Sequence, residues 1–396
     1  MPAASLTQRS RIGSVPPKAE LSREFRLLVD IAFDEKANLG HLLPDPALDW
    51  NYLMEAARFH GLVPIVAPRL LRQVSSVPER VRLELQEASR RALEGSLTLS
   101  GELVRVLRTL NADEIECIPF KGPALAAQLW GNFTLRQSMD IDLLVRPAQV
   151  ERAVKALQSC GYSPDGNSSW RKLLSSAVEL PLKKTGMPIL ELQWGIVPRC
   201  FAVDLEMDAC WQRSQSAEFG GQATSAFSPE DLLLILCIHG WKHAWNRLLW
   251  LADVARLIRN SPALDWHALW LRAKSCGMEN ILVLALSLCR KLFGLALPAE
   301  LEEAVATSPT ITGLADESIR YMQGLTQPTY TGWHRYLLLA RERPVDRIRH
   351  LFRFLFTPGV GDWETIRLPQ FVSPFYRMIR LARLSQVAAQ YAFRRD

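Results

Sequence analysis

Asp140-Ile141-Asp142, followed by Leu143-Leu144-Val145, is the stretch of this chain best suited to chemistry. It reads as a short strand. Side chains at i and i+2 of a strand share a face, so Asp140 and Asp142 project together while Ile141 and Leu143 point to the other side. Two carboxylates roughly 7 Å apart along a strand suit a hard cation such as Mg²⁺, which takes oxygen ligands. A pair of such ions can clamp the attacking and leaving oxygens of a phosphoryl or nucleotidyl transfer. A solvated strand end is the alternative for Asp-x-Asp alone.

A third carboxylate strengthens the pattern. Glu191 alternates with apolar neighbours in Pro188-Ile-Leu-Glu-Leu-Gln-Trp194, and an acid in such a strand is either solvated or used. An adjacent strand would bring it beside Asp140 and Asp142; Glu179 is its rival. Lys121-Gly122-Pro123 lies between a strand and a helix. The first-turn N–H groups of that helix suit phosphate, with Lys121 as a point charge and Arg136 within reach. His239 and His243 stand four apart, on one helix face, with Asn246, Arg247, Trp250 and Asp253 near the same stripe. This face would close the cleft, Lys242 or Arg247 touching phosphate and His239 or His243 the acceptor; a polar face packed on the neighbouring domain is the other reading. No third ligand accompanies the two His as a zinc site requires.

These residues need elements to hold them. The spacing predicts helices from Glu20 to about Asn111, broken near Gly61 and Pro64, with one or two long helices over 77–110. Strands are expected at Ile115–Phe120, Asp140–Val145, Ala177–Lys183 and Pro188–Ile196, with helices after Pro123 and over Pro147–Cys160. Gly186 suggests a hairpin, and Pro181 an edge strand. Ser228-Pro229-Glu230-Asp231 is a helix start, and helices continue to the end, Trp241, Trp245 and Trp250 being core. The fold class is α+β: a small mixed-sheet core flanked by helical regions. The expected divisions are a disordered lead-in (1–19), an N-terminal helical region (20–111), the α/β core (112–227), a C-terminal helical domain (228–343) and a basic helical tail (344–396).

Composition narrows the class. The 396 residues are 48% hydrophobic, with seven scattered Cys and no C-x-x-C, a pattern of reduced thiols in a cytoplasmic protein rather than a disulfide framework. No signal peptide or membrane-spanning run is visible. The net charge is +6, but 344–396 alone holds nine Arg, no Lys and four acids. The basic character belongs to this tail, which argues against a general nucleic-acid surface. Tyr376–Arg395 reads as a basic amphipathic helix that could lie on an anionic membrane surface or cover a domain.

Phe120-Lys-Gly-Pro-Ala-Leu-Ala, then Leu135-Arg-Gln-Ser-Met-Asp-Ile-Asp-Leu-Leu-Val145 and Gly161-Tyr162, resembles a poorly characterised nucleotidyltransferase family of the DNA polymerase β superfamily. The resemblance extends to Arg58-Phe-His-Gly-Leu-Val-Pro64, Glu191-Leu-Gln-Trp194, His239-Gly-Trp-Lys-His243, Leu368-Pro369 and Tyr376–Leu384. It implies an NTP donor, Mg²⁺ (two ions) at Asp140, Asp142 and Glu191, and a triphosphate at Lys121, Gly122 and Arg136, with Lys242. Members often occur in bacterial exopolysaccharide and peptide natural-product gene clusters, which implies a sugar phosphate, glycan or peptide as acceptor. Two departures stand out. Most of the superfamily has Gly-Gly or Gly-Ser in the phosphate turn, closer to the acids, and Gln193 stands where the family usually has His. The rival functions are a toxin-like or regulatory transferase acting on protein or tRNA, a phosphotransferase, and a non-catalytic nucleotide-binding scaffold.

Overall fold

A computed structural model describes residues 21–34, 39, 48–73, 76–164, 170, 177–358, 362 and 375–393. The expected lead-in and the Leu368-Pro369 motif lie outside these residues.

The site rests on a mixed sheet of β1 (Cys117–Pro119), β2 (Asp140–Val145), β3 (Ser163–Pro164), β4 (Glu179–Lys183) and β5 (Ile189–Gln193). Their spatial order is β1-β2-β5-β4-β3. β2 and β5 are parallel, with Asp142 beside Glu191, and the other pairs are antiparallel. The alternation along β2 sorts its side chains between two cores. Ile141, Leu143 and Val145 join a core built on α4 (Glu79–Ala112) and α6 (Val150–Ser159), while Leu144 joins the larger helical core. Asp142 therefore faces the helical side.

β4 lies between β5 and β3, so it is not the edge that Pro181 suggested. Among the described residues, β3 meets only Lys183 and Leu182, which leaves Pro181 on β4's uncovered part, where its missing N–H costs no ladder bond. The β4–β5 turn passes through Gly186 at φ +71°, as a hairpin requires. A second hairpin, β6 (Gln215–Phe219) and β7 (Gln222–Ala226), turns on Gly220-Gly221.

Helices flank the sheet. α1 (Arg23–Phe33), α2 (Trp50–Phe59) and α3 (Val63–Leu71) precede α4. α4 spans 34 residues, about 50 Å at 1.5 Å per residue. Its N-terminal half carries Val81 and Leu85 into the helical core, and Leu99–Leu110 lies on the sheet. α5 (Gly122–Trp130) follows β1, and the short α7 (Met207–Gln212) precedes the β6–β7 hairpin. α8 (Pro229–Lys242) begins as expected: the Ser228 hydroxyl accepts the Asp231 N–H. Ala244 and Trp245 at positive φ end its path, and α9 (Leu248–Asn260) starts afresh. Then come α10 (Trp266–Ser275), α11 (Glu279–Phe293), α12 (Ala299–Thr307), α13 (Pro309–Gln323), α14 (Tyr330–Leu339), α15 (Pro344–Phe356) and α16 (Tyr376–Phe393). Pro298, Pro309 and Pro344 stand at helix starts, where a missing N–H is harmless. Among the described residues, no helix is long and apolar enough to cross a membrane.

His60, at the end of α2, is fully buried, and its Nδ1 accepts the Leu248 N–H at 3.1 Å. Burial, the largest cause, holds its pKa at about 3, against an ordinary 6.5. In the unfolded chain the ring protonates below about 6.5, while in the fold it stays neutral. Stability is therefore intact above that pH and lost as pH falls towards the folded value. Urea unfolding at about pH 5.5 should give about 1.4 kcal/mol less stability from this residue than at about pH 7.5. A His60→Gln variant should lack that share of the slope.

Candidate active site

The Lys121-Gly122 turn is fixed to the acid strand by its backbone. Gly122 has φ +59°, and a Cβ there would sit 3.2 Å from the Asp140 carbonyl oxygen. Only glycine meets both demands without strain. Gly122→Ala should cost about 1–2 kcal/mol, read as a lower melting temperature, and push the turn away from Asp140. The helix that starts here leaves its first-turn N–H groups without intrahelical acceptors.

Lys121 Nζ lies 2.7 Å from Asp142 Oδ1. Gln193 Nε2 donates to the same oxygen at 2.9 Å and to Glu191 Oε2 at 3.1 Å. Gln193 thus holds Asp142 and Glu191 together across the parallel pair. Burial raises the pKa of Asp140, and the Asp142 charge adds to it. Glu191 is pushed up to about 7 by burial, then by Asp142 and Glu179. Lys121 and Arg136 offset part of the rise at Asp140. Lys121 stays charged: burial works against the ammonium, but Asp142 outweighs it and its pKa rises.

Arg136 is buried rather than a surface residue. Its Nε donates to Asp253 Oδ2 at 2.9 Å and its Nη1 to the Ser138 hydroxyl at 3.0 Å. Trp130 Nε1 donates to the other Asp253 oxygen at 3.1 Å. Asp253, on α9, is fully buried. It anchors the loop leading into β2 to the opposite helical wall.

These elements open on a cleft of about 720 Å³, within the usual range for small-molecule sites. Its floor is Lys121, Gly122, Asp140 and Asp142; Arg136, Gln137 and Ser138 form a second side; and His239, His243, Asn246, Arg247 and Trp250 form the helical wall. Arg58, Tyr330 and Trp333 complete the rim. His239 and His243 lie with ring centroids 5.0 Å apart, and Trp250 is 4.8 Å from the first and 5.0 Å from the second. Trp250 therefore belongs to the cleft wall, whereas Trp241 and Trp245 are core. Burial is the largest cause lowering both histidines, with His243 at about 3, so both are neutral imidazoles near pH 7.

Glu191 and Lys242 line a small adjoining space of about 30 Å³ with Glu179, Gln193 and, shared with the cleft, Lys121 and His239, which has room for a water. Lys242's pKa is lowered, first by burial and then by Lys121. Of the two candidates for a third carboxylate, Glu191 lies on the strand next to β2, and Glu179 pairs with Gln193 one strand further out. The sequence reading did not single out Tyr330 or Trp333, which carry no motif, and Gln137 and Ser138 appeared there only within the residues that carry the resemblance. Arg58 appeared there only within a motif, although its proximity to Gly61 marks the turn that brings α2 to the cleft.

Among the described residues, no three His, Cys, Asp or Glu side chains converge as a ready ligand set. The donor chemistry nevertheless fits a hard divalent cation. Asp140 and Asp142 are anionic oxygen donors on one strand face, and the pKa values of Asp140 and Glu191 are raised first by burial and then by neighbouring carboxylates, both of which a cation would offset.

The acid pair thus sits on a small mixed sheet embedded in helices. The chain belongs to the family described as "Uncharacterised nucleotidyltransferase", whose model matches residues 46–294; it is a transferase enzyme. No curated protein matches the chain. Solved structures similar to parts of it include the solution structure of the antibiotic-resistance factor ANT(2'')-Ia. It is 14% identical, with a TM-score of 0.28, over 53% of this chain and 97% of that one. A nucleotidyltransferase-like protein from Paracoccidioides brasiliensis is 15% identical, with a TM-score of 0.33, over 54% of this chain and 99% of that one.

Proposed function

We infer that the protein transfers a nucleoside monophosphate from an NTP to an acceptor hydroxyl or phosphate, with Mg²⁺. The observation that carries this is the floor of the cleft. Asp140 and Asp142 open onto a 720 Å³ space together with Lys121 and a helix start. Asp140 and Asp142 would hold the ion, with Glu191 as the third carboxylate one strand over. Bound there, Mg²⁺ supplies charge neutralisation on the reacting phosphate and a means of activating the attacking oxygen.

The chain's own residues do the rest. Lys121, paired with Asp142, is positioned to meet phosphate oxygens at the mouth of the acid pair, and the Gly122 turn lets backbone approach them. Arg136 is held by Asp253 with its guanidinium at the cleft wall, adding positive charge for the triphosphate. Arg247 faces the same space from the other side, over the Trp250 ring at 5.6 Å. His239 and His243, kept neutral by burial, present ring nitrogens to an acceptor hydroxyl without adding charge. A sugar phosphate, glycan or peptide acceptor fits a wall that combines aromatic rings with Arg58 and Arg247.

The test uses NTPs labelled at the α- or γ-phosphate, incubated with the protein, Mg²⁺ and a small-molecule extract. Incorporation of the α-label with release of pyrophosphate is the expected result. Incorporation of the γ-label would mean phosphoryl transfer through the same residues. Incorporation of neither label, with nucleotide bound, would support a binding scaffold.

A further inference from the structure

α15 is packed inside out. Its polar residues Asp346 and His350 are 4% and 2% exposed. Asp346 lies 3.4 Å from the buried Arg341, and a Cβ on Gly277 would come within 2.5 Å of the Asp346 carboxylate. The His350 ring lies 5.9 Å from Phe201. Most of its apolar residues face outward, Phe354 excepted, whose ring meets His334 at 4.3 Å. Val345, Ile348, Phe352 and Leu355 follow one another at three- and four-residue steps, which places them on one stripe of the helix. Phe375 and Met378 continue the stripe at the start of the neighbouring α16. Of these residues, Val345, Ile348, Phe352, Phe375 and Met378 are each 55–67% exposed. A helix buries its polar face and shows its apolar one only when something else is meant to cover the latter.

The exposed charges carried by these two helices have one sign, while one exposed acid from outside them, Asp204, lines a neighbouring space with Arg353 and Thr357. Arg349 and Arg377 are exposed, and Arg353 lines the groove between the two helices with Phe352 and Met378. The acids of these two helices and of their link that are described, Asp346 and Asp362, are buried and ion-paired to arginines. An apolar stripe with aromatic rings, flanked by arginine and with no exposed acid among the described residues of its own two helices, has the composition of a helix that lies in a lipid interface. Arginine at its margin is attracted to the negative surface of an anionic leaflet. A protein partner would have to supply an acidic rim around an apolar centre; a bilayer containing anionic lipid offers both at once.

We propose that the face formed by α15 and the start of α16 docks the enzyme on an anionic membrane surface, so that the nucleotidyl transfer proceeds next to the bilayer. The inference concerns a surface outside the cleft and does not depend on which group the cleft transfers.

The full-length chain is sedimented with vesicles of phosphatidylcholine alone or of phosphatidylcholine mixed with phosphatidylglycerol. It should pellet with the anionic vesicles and stay in solution with the neutral ones, and added salt should release it. The Ile348→Glu/Phe352→Glu variant should bind anionic vesicles at least about tenfold less with an unchanged melting temperature and unchanged nucleotide binding. A Phe352→Trp variant should show a blue-shifted emission on the anionic vesicles only. Absence of sedimentation with anionic vesicles, or equal sedimentation with both kinds, would overturn the proposal. So would a dimer by light scattering that the double variant converts to monomer, since a second copy would then be the cover. A fall in melting temperature in the double variant would overturn it as well, since another part of the chain would then lie on the stripe.

Discussion

Asp142→Asn should leave a folded protein whose nucleotidyl transfer falls by at least about 10³-fold, equivalent to ~4 kcal/mol of transition-state stabilisation. Asparagine keeps the size of the side chain and an oxygen that can accept from Lys121 and Gln193, now at 2.7 and 2.9 Å from the carboxylate. What it removes is the negative charge that faces both Lys121 and the cation. Asp140→Asn should produce a loss of the same order. Asp140 is not the carboxylate that Lys121 and Gln193 hold, so a loss shared by both variants points to their common role rather than to one hydrogen-bond network. Circular dichroism and melting temperature separate this from unfolding. A rate for either variant within about threefold of the unaltered protein, well inside what one lost surface contact does, would contradict the assignment.

The second large effect is structural. Asp253→Ala should destabilise the fold by about 3–5 kcal/mol, the usual consequence of removing one partner from a buried ion pair. It would strand the buried Arg136 and leave Trp130 Nε1 without its acceptor. That is a large fraction of the roughly 5–15 kcal/mol that holds a typical domain together, and urea unfolding measures it directly. Asp253→Asn keeps the acceptor for Trp130 and should cost less. Both variants should also weaken nucleotide binding, because Arg136 ties Ser138 and the lead-in to β2 to the helical wall. If nucleotide affinity is unchanged in a folded Asp253→Asn protein, the Arg136 anchor does not position the site.

The parts of this architecture that sequence revealed were those with a local cause. Asp140–Val145 has the bounds expected of it because an apolar run there alternates with two acids and ends before Pro147. Glu191 could be matched to Asp142 because both sit on strands of the same period. The Gly186 hairpin and the Ser228 cap each have a residue that dictates them. The β6–β7 hairpin was missed although Gly220-Gly221 marks its turn, since its strands are rich in Gln, Ser and Ala and lack a strong apolar alternation. β3 is two residues long, below what any pattern reveals.

The site was legible in its acids and less so in its walls. Asp253 looked like one more residue of a polar stripe. Its role depends on burial and on Arg136, 117 positions earlier, which no local pattern encodes. Trp250 has the spacing of a core residue and lies instead at the cleft, because α9 starts anew after Ala244 and Trp245 turn the chain. Lys242 and Glu191 line a small space adjoining the cleft behind Lys121, a placement that no local pattern shows. The reversed burial of α15 is likewise invisible to periodicity, which shows that a helix has two faces but not which one meets the core.

The most direct test of the central claim is isothermal titration of ATP, CTP, GTP and UTP, each with and without Mg²⁺, into the unaltered protein and into the Asp140→Asn/Asp142→Asn variant. The account predicts binding of at least one nucleotide that depends on Mg²⁺ and disappears in the folded double variant. Binding that is the same with and without Mg²⁺, or that survives loss of both acids, would contradict it.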